Sequence, residues 1–82
     1  MNKTEIIIKE ENLGNVEQYL RNIYGRPCAW SGGERNITMY FPGVNLVSEK
    51  DYFENFSKHY IVVQPFINKD IRSKLIKLAR AA

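Results

Sequence analysis

The chain has 82 residues, of which 44% are hydrophobic and 26% are charged, and its formal net charge is +3. A chain of this length buries roughly 60 to 65% of its unfolded surface, which leaves no room for a second lobe or a deep cofactor cleft. The apolar content suffices for a packed core, so disorder is not the expected state. We therefore expect residues 1–82 to form a single domain.

Cysteine usage and the N-terminal stretch bear on the cellular location. Cys28 is the only cysteine, which excludes an intrachain disulfide, whereas secreted domains of this size usually need such cross-links. Three successive isoleucines precede Lys9, and this apolar run is too short for a signal peptide or a membrane-spanning helix. These features predict a cytoplasmic protein.

The charge is unevenly distributed along the chain. Residues 1–56 carry six basic and eight acidic side chains, whereas residues 57–82 carry six basic side chains and one acidic side chain, Asp70. An excess of cations of this kind favours nucleic acid, anionic lipid or an acidic protein surface as partner, without choosing among them.

The first half of the chain predicts a strand, a helix and a hairpin. Residues 4–10 predict a strand buried on both faces, and hence central in its sheet, because three isoleucines lie between charged residues. A helix of about ten residues follows and ends before Gly25 and Pro27. Two apolar segments, at residues 27–30 and 37–41, then flank a polar loop and predict a β-hairpin.

The second half predicts helix, strand and helix. Ser48 and Asp51 have the spacing of a capping box, and the aromatic residues that follow recur at helical intervals, which predicts a helix over residues 48–60. Residues 60–66 predict a strand whose far half is an edge or a strand end, because Pro65 cannot donate to a ladder.

The last helix, predicted over residues 69–82 with Asn68 as its cap, is amphipathic. The apolar stripe consists of Ile71, Leu75, Leu78 and Ala82. The basic residues opposite it or beside it are Lys69, Arg72, Lys74, Lys77 and Arg80.

The predicted class is α+β, in the order β-α-β-β-α-β-α. Its first six elements match the ferredoxin-like arrangement, in which two helices cover one face of a four-stranded antiparallel sheet, and the amphipathic C-terminal helix is an addition. A helix-flanked three-stranded sheet is the alternative. Ile7, Thr38 and Tyr40 are expected on the face away from the two internal helices. The C-terminal helix is expected either to fold over that face or to contact a partner.

The sequence offers no convincing catalytic or metal-binding constellation. Cys28 and His59 are the only Cys/His pair, and nothing in the spacing brings them together with a third, orienting group. One histidine and one cysteine do not make a metal site, and no cofactor motif is present. We therefore expect a protein that is not an enzyme and has no metal or cofactor; a Cys/His enzyme is the weakest alternative.

The leading functional prediction is a small interaction protein that acts as a regulator, adaptor or inhibitor. Motif-free chains rich in Ile, Asn and Lys resemble accessory regulators of phages and mobile elements. The expected partner is another protein, contacted through the C-terminal helix, the open sheet face or both. A homodimer through the last helix or an edge strand is a further alternative. The predicted partner-binding residues are Ile71, Leu75, Leu78, Arg72, Lys74, Trp30 and Tyr40.

Binding of RNA or DNA is the second functional prediction. The cations Lys69, Lys74, Lys77 and Arg80 would contact phosphates. The sheet supports this alternative less well, because residues 35–41 lack the glycines of RNA-recognition domains. Membrane binding is expected only as peripheral contact through the same helix.

Overall fold

The computed structural model describes residues 3–82, which form five strands and two α-helices in an α+β arrangement. In chain order these are β1 (Thr4–Ile8), a short 3₁₀ turn (Glu10–Asn12), α1 (Leu13–Tyr24), β2 (Ala29–Gly32), β3 (Asn36–Phe41), β4 (Val44–Lys50), β5 (Phe56–Val63) and α2 (Lys69–Arg80).

The five strands form one antiparallel sheet in the order β1-β5-β4-β3-β2. Strands β2 to β5 are sequential neighbours, and β1 joins them by pairing with β5. Helix α1 therefore carries the chain from one edge of the sheet to the other, over its face. Among the strands described within residues 3–82, β1 and β2 are the edge strands of the sheet.

Both helices pack on the same face of the sheet, which we call the helix face. Opposite residues in an antiparallel pair share a face, so Ile6, Ile61, Leu46 and Met39, which are successive partners, form one row of it. Val16 and Leu20 of α1 and Leu75 and Ala79 of α2 are fully buried in the same core cluster. The opposite face, which we call the open face, carries neither helix.

The C-terminal helix thus covers its own sheet, but not the face expected from the sequence. Its buried residues belong to the core beneath the helix face, with Ile71 and Leu78 partly buried beside them. Ile76 also packs against this core, whereas Ala82 lies beyond the helix end and is exposed. The open face keeps Thr38 and Tyr40, as predicted.

The helix predicted over residues 48–60 was wrong. The structure has β4 and β5 in this region, joined by a loop over residues 51–55. Asp51 closes this loop instead of capping a helix, because its Oδ1 accepts hydrogen bonds from the backbone N–H groups of Phe53 (2.8 Å) and Asn55 (3.0 Å). The helical spacing of the aromatic residues was coincidental.

The element order is consequently β-α-β-β-β-β-α, with five strands in place of the four of the predicted ferredoxin-like arrangement. The first strand was also misplaced: β1 is an edge strand, and it is buried on one face only. Ile6 and Ile8 point into the core, whereas Ile7 is 53% exposed on the open face. Strand β5 is an interior strand that ends at Val63, so Pro65 lies past a strand end, as predicted.

The turns and caps follow from local sequence. Strands β3 and β4 are joined by the two residues Pro42 and Gly43, and Gly43 has φ +81°, the combination that a type II turn favours. Asn68 caps α2 as predicted, since its Oδ1 accepts from the N–H groups of Asp70 and Ile71. The predicted β2–β3 hairpin is confirmed.

The start of α1 and the end of α2 are tied together by a buried side chain. Asn12 Nδ2 donates to the carbonyl oxygens of Ala79 (3.2 Å) and Ala81 (2.7 Å). The last carbonyls of a helix have no partner within the helix, so this amide satisfies two groups at the end of α2 and ties that end to the start of α1.

Candidate interaction surface

The predicted partner-binding residues do not form one surface. Trp30 lies on β2 and is 60% exposed on the helix face, whereas Tyr40 is half-buried on the open face, where its hydroxyl lies 3.1 Å from Ser31 Oγ. Leu75 is fully buried, and Ile71 and Leu78 pack beside it. The apolar stripe of α2 therefore packs against the chain's own hydrophobic core.

The five cations of α2 are exposed, and we call them the basic face. Arg72 contacts the hydroxyl of Thr4 (3.4 Å), but within residues 3–82 none of the five forms an ion pair. Asp70 is the only acidic residue of the helix. The basic face is therefore free to attract an anionic partner. Its members are Lys69, Arg72, Lys74, Lys77 and Arg80.

A pair of highly exposed aromatic rings in mutual contact lies elsewhere, at the end of the β4–β5 hairpin. Tyr52 and Phe53 are 86% and 76% exposed, and their rings contact each other edge to face with centroids 5.4 Å apart. Together with the adjacent Phe56, which is also exposed, we call these residues the aromatic tip. Sequence reasoning missed this surface, because it placed the same rings in a buried helical stripe.

A β-bulge connects the aromatic tip to the helix face. Glu49 pairs with Lys58 and Lys50 pairs with Phe56, so Ser57 is the extra residue on β5. The extra residue changes the side to which the strand directs its side chains, and Phe56 consequently lines a pocket on the helix face. The pocket has a volume of about 200 Å³, and it is lined by Leu13, Ile37, Ser48, Phe56 and His59.

Ser48 and His59 form the polar part of this pocket. Ser48 Oγ lies 2.8 Å from His59 Nδ1, and the imidazole is buried. Serine activation requires a base that is itself oriented by a third group. Within the described chain, the side chain of His59 forms its hydrogen bond with Ser48, and the other pocket residues are apolar. The serine hydroxyl therefore satisfies the hydrogen-bonding requirement of a buried imidazole. Within the described residues, no third group orients the imidazole as in a catalytic triad.

Cys28 and His59, the only Cys/His pair of the sequence, do not lie together in the structure. Cys28 is exposed and immediately precedes β2, and β3 and β4 separate that strand from His59 on β5. Residues 3–82 contain no group of three or more His, Cys, Asp or Glu side chains that could hold a metal ion. Gly32 is the last residue of β2 and pairs with Ile37, so only Gly33 of the two adjacent glycines lies in the hairpin loop.

Polar contacts occupy much of the open face. The hydroxyl of Tyr60 donates to Glu49 Oε1 (2.8 Å), and this hydrogen bond, with burial and the nearby carboxylates, raises the pKa of Tyr60 to about 12. Lys58 lies above the Tyr60 ring, 4.8 Å from its centroid, and 3.5 Å from Glu5. Tyr40 and Tyr60, the aromatic residues that the strands within residues 3–82 place on the open face, are both partly buried, whereas stacking of single-stranded RNA needs exposed rings.

No helix within residues 3–82 has the length and apolar content that a bilayer span requires. Comparison of the chain with known protein families, with curated proteins and with solved structures finds no match.

Proposed function

We propose that the chain is a small interaction protein, without catalytic activity, that docks on another protein through the aromatic tip. The exposure of Tyr52 and Phe53 carries the proposal. Large aromatic side chains that remain in water are the residues that most often anchor protein interfaces, where they fill apolar pockets of the partner.

The charges around the aromatic tip favour a protein partner over a polyanion. Lys50 pairs with Glu54 at 3.8 Å, and Asp51 lies between them in sequence. Cations and carboxylates are therefore mixed at this end of the sheet, so phosphates would find no continuous positive surface there. Docking of this kind suits a regulator, adaptor or inhibitor, which acts by occupying a surface of its partner.

The exposed thiol of Cys28 supports a reducing compartment, and we propose the cytoplasm as the site of action. An exposed single thiol in an oxidising compartment would tend to form mixed disulfides.

An affinity pull-down from the native cell, with mass-spectrometric identification, tests the docking surface. The tagged chain is compared with the double variant Tyr52→Ser/Phe53→Ser and with Phe66→Ser, which removes an aromatic ring that is 77% exposed beyond the opposite end of β5. We expect the partner to be lost from the double variant and retained by Phe66→Ser, with or without nuclease. Retention by the double variant would contradict the proposal.

Binding of nucleic acid through the basic face is the second candidate function. The five exposed cations on a single helix support it, since each phosphate contact releases counterions and binding then falls steeply with salt. Polarisation of labelled RNA and DNA oligonucleotides, from low to physiological salt, tests it. We expect the triple variant Lys74→Gln/Lys77→Gln/Arg80→Gln to abolish binding.

A charge-matched control separates the basic face from net charge. Lys9, Arg26 and Arg35 are exposed and lie outside α2, so their triple change to glutamine removes the same charge. Equal loss of binding in both triple variants, or no binding of the native chain at low salt, argues against this second function.

A further inference from the structure

Within residues 3–82, strand β2 is a sheet edge without the charged residues and prolines that often protect such strands. All four of its residues are exposed, and it lies at the end of the sheet order. Proteins generally protect edge strands with charges, prolines or covering elements. The sequence from Cys28 to Gly33 contains no charged residue and no proline. The opposite edge differs, because Glu5 lies within β1 and Lys3 and Lys9 flank it.

The register of the β2–β3 hairpin shows which backbone groups of β2 face outward. Gly33 N–H donates to the carbonyl of Asn36 (2.9 Å), in line with the pairing of Ser31 with Thr38. Because hydrogen-bonded pairs alternate in an antiparallel ladder, Ser31 turns its backbone groups toward β3. Trp30 and Gly32 consequently direct theirs toward the free edge.

We infer that this edge pairs with the β2 edge of a second copy of the chain. An antiparallel two-fold pairing centred on Ser31 places Trp30 of each copy opposite Gly32 of the other. Both residues then use their outward N–H and C=O groups, which gives four backbone hydrogen bonds and joins the two sheets. The neutral edges meet without repulsion between like charges.

The side chains are complementary in the same register. Trp30 and Gly32 both lie on the helix face, where the space that a Cβ of Gly32 would enter is empty. The indole of each copy therefore lies over the glycine of the other, an arrangement that covers a glycine in a sheet with an aromatic ring. The exposure of Trp30 in one chain is explained by its burial in the dimer.

The sole tryptophan reports dimer formation directly. We expect analytical ultracentrifugation to show a monomer–dimer equilibrium, with Trp30 emission shifting to shorter wavelength as the dimer forms. Trp30→Lys brings cations into the interface and weakens dimerisation at least about tenfold. Ile7→Lys makes the same type of change on the exposed edge strand β1 and leaves dimerisation unchanged. A chain that stays monomeric at all concentrations, or a dimer lost only in Ile7→Lys, overturns the inference.

Disulfide trapping tests the register. In a Cys28→Ser background, Ser31→Cys places two thiols at the two-fold axis, in a non-hydrogen-bonded pair with Cα atoms about 4.5 Å apart, which a disulfide can span. We expect rapid oxidation to a covalent dimer. Ala29→Cys, two residues from the axis, does not cross-link. Equal cross-linking of both variants, or cross-linking of neither, overturns the register.

Discussion

Tyr60 and Glu49 form the residue contact with the most direct spectroscopic consequence. Their hydrogen bond raises the pKa of Tyr60 to about 12 from a usual value of 10.0. The folded state therefore holds the phenolic proton more tightly than the unfolded state, so the stabilisation is complete below pH 10 and is lost as the pH rises toward 12. Glu49→Gln removes the charged acceptor, and we expect it to lower the pKa of Tyr60.

Titration of tyrosinate absorbance measures this change. Glu17→Gln serves as the control, because it removes a carboxylate that pairs with Arg21 on α1, away from the open face. We expect no change in Tyr60 ionisation there. A Tyr60 pKa that is the same in Glu49→Gln and in the native chain would show that burial, and not the hydrogen bond, sets it.

The Ser48–His59 pair supports the fold from within the pocket. Ser48→Ala leaves the buried Nδ1 of His59 without its partner, which costs roughly 1 to 3 kcal/mol. Urea unfolding measures the loss. Ser73→Ala, at an exposed position of α2, is the control and is expected to change stability by less than about 0.5 kcal/mol. Equal stability of the two variants would mean that water replaces the serine hydroxyl.

At the level of elements, sequence patterns predicted both α-helices and the first hairpin but misassigned residues 48–60. The reason is periodicity: Tyr52, Phe53 and Phe56 match a helical stripe as a set, although Tyr52 and Phe53 lie in a loop and Phe56 begins β5. The bulge at Ser57 also interrupts the alternation that would have indicated a strand. Residues 56–63 form a strand because they pair with β4, and such pairing between distant segments is not contained in a local sequence pattern.

The dependence of strands on distant pairing partners also explains which parts of the candidate surface could be predicted from the sequence. Trp30 was predicted to bind a partner, and this stays a prediction; the structure places it, 60% exposed, on the edge strand β2. The aromatic tip was missed because the rings were assigned to a helix. The available signal was the pair of polar residues Asp51 and Asn55 that enclose the aromatic pair, a composition that is typical of turns.

Helix α2 contributes buried side chains to the core, so truncating one of them is expected to destabilise the folded state. Leu75 is fully buried against the helix face, so Leu75→Ala is expected to lower the free energy of unfolding by about 2 to 5 kcal/mol. Lys74→Ala, on the exposed side of the same helix, is expected to change it by less than about 0.5 kcal/mol. Urea unfolding distinguishes the two; a small effect of Leu75→Ala would mean that α2 is only loosely attached.

At the scale of the whole molecule, the first and last elements of the described chain, β1 and α2, pack beside each other. Strand β1 adds to the sheet only through β5, and α2 packs beside β1, where Arg72 reaches Thr4 and Lys9 N–H donates to Ala79 O. Strands β3, β4 and β5 consequently have partners on both sides, whereas β1 and β2 have one each. Stability is therefore expected to be highest in the middle of the sheet and lowest at β2, which neither helix end secures.

Amide hydrogen exchange, followed residue by residue by NMR, tests this gradient. At protein concentrations below dimerisation, we expect the slowest exchange in β4 and β5, because their amides open only when the chain unfolds globally. The N–H groups of Trp30 and Gly32 face the free edge and are expected to exchange fastest within the sheet, while that of Ser31, bonded to β3, is intermediate. Protection of Trp30 and Gly32 equal to that of β5 in the monomer would mean that another part of the chain covers this edge, and the edge would then not be free to pair with a second copy.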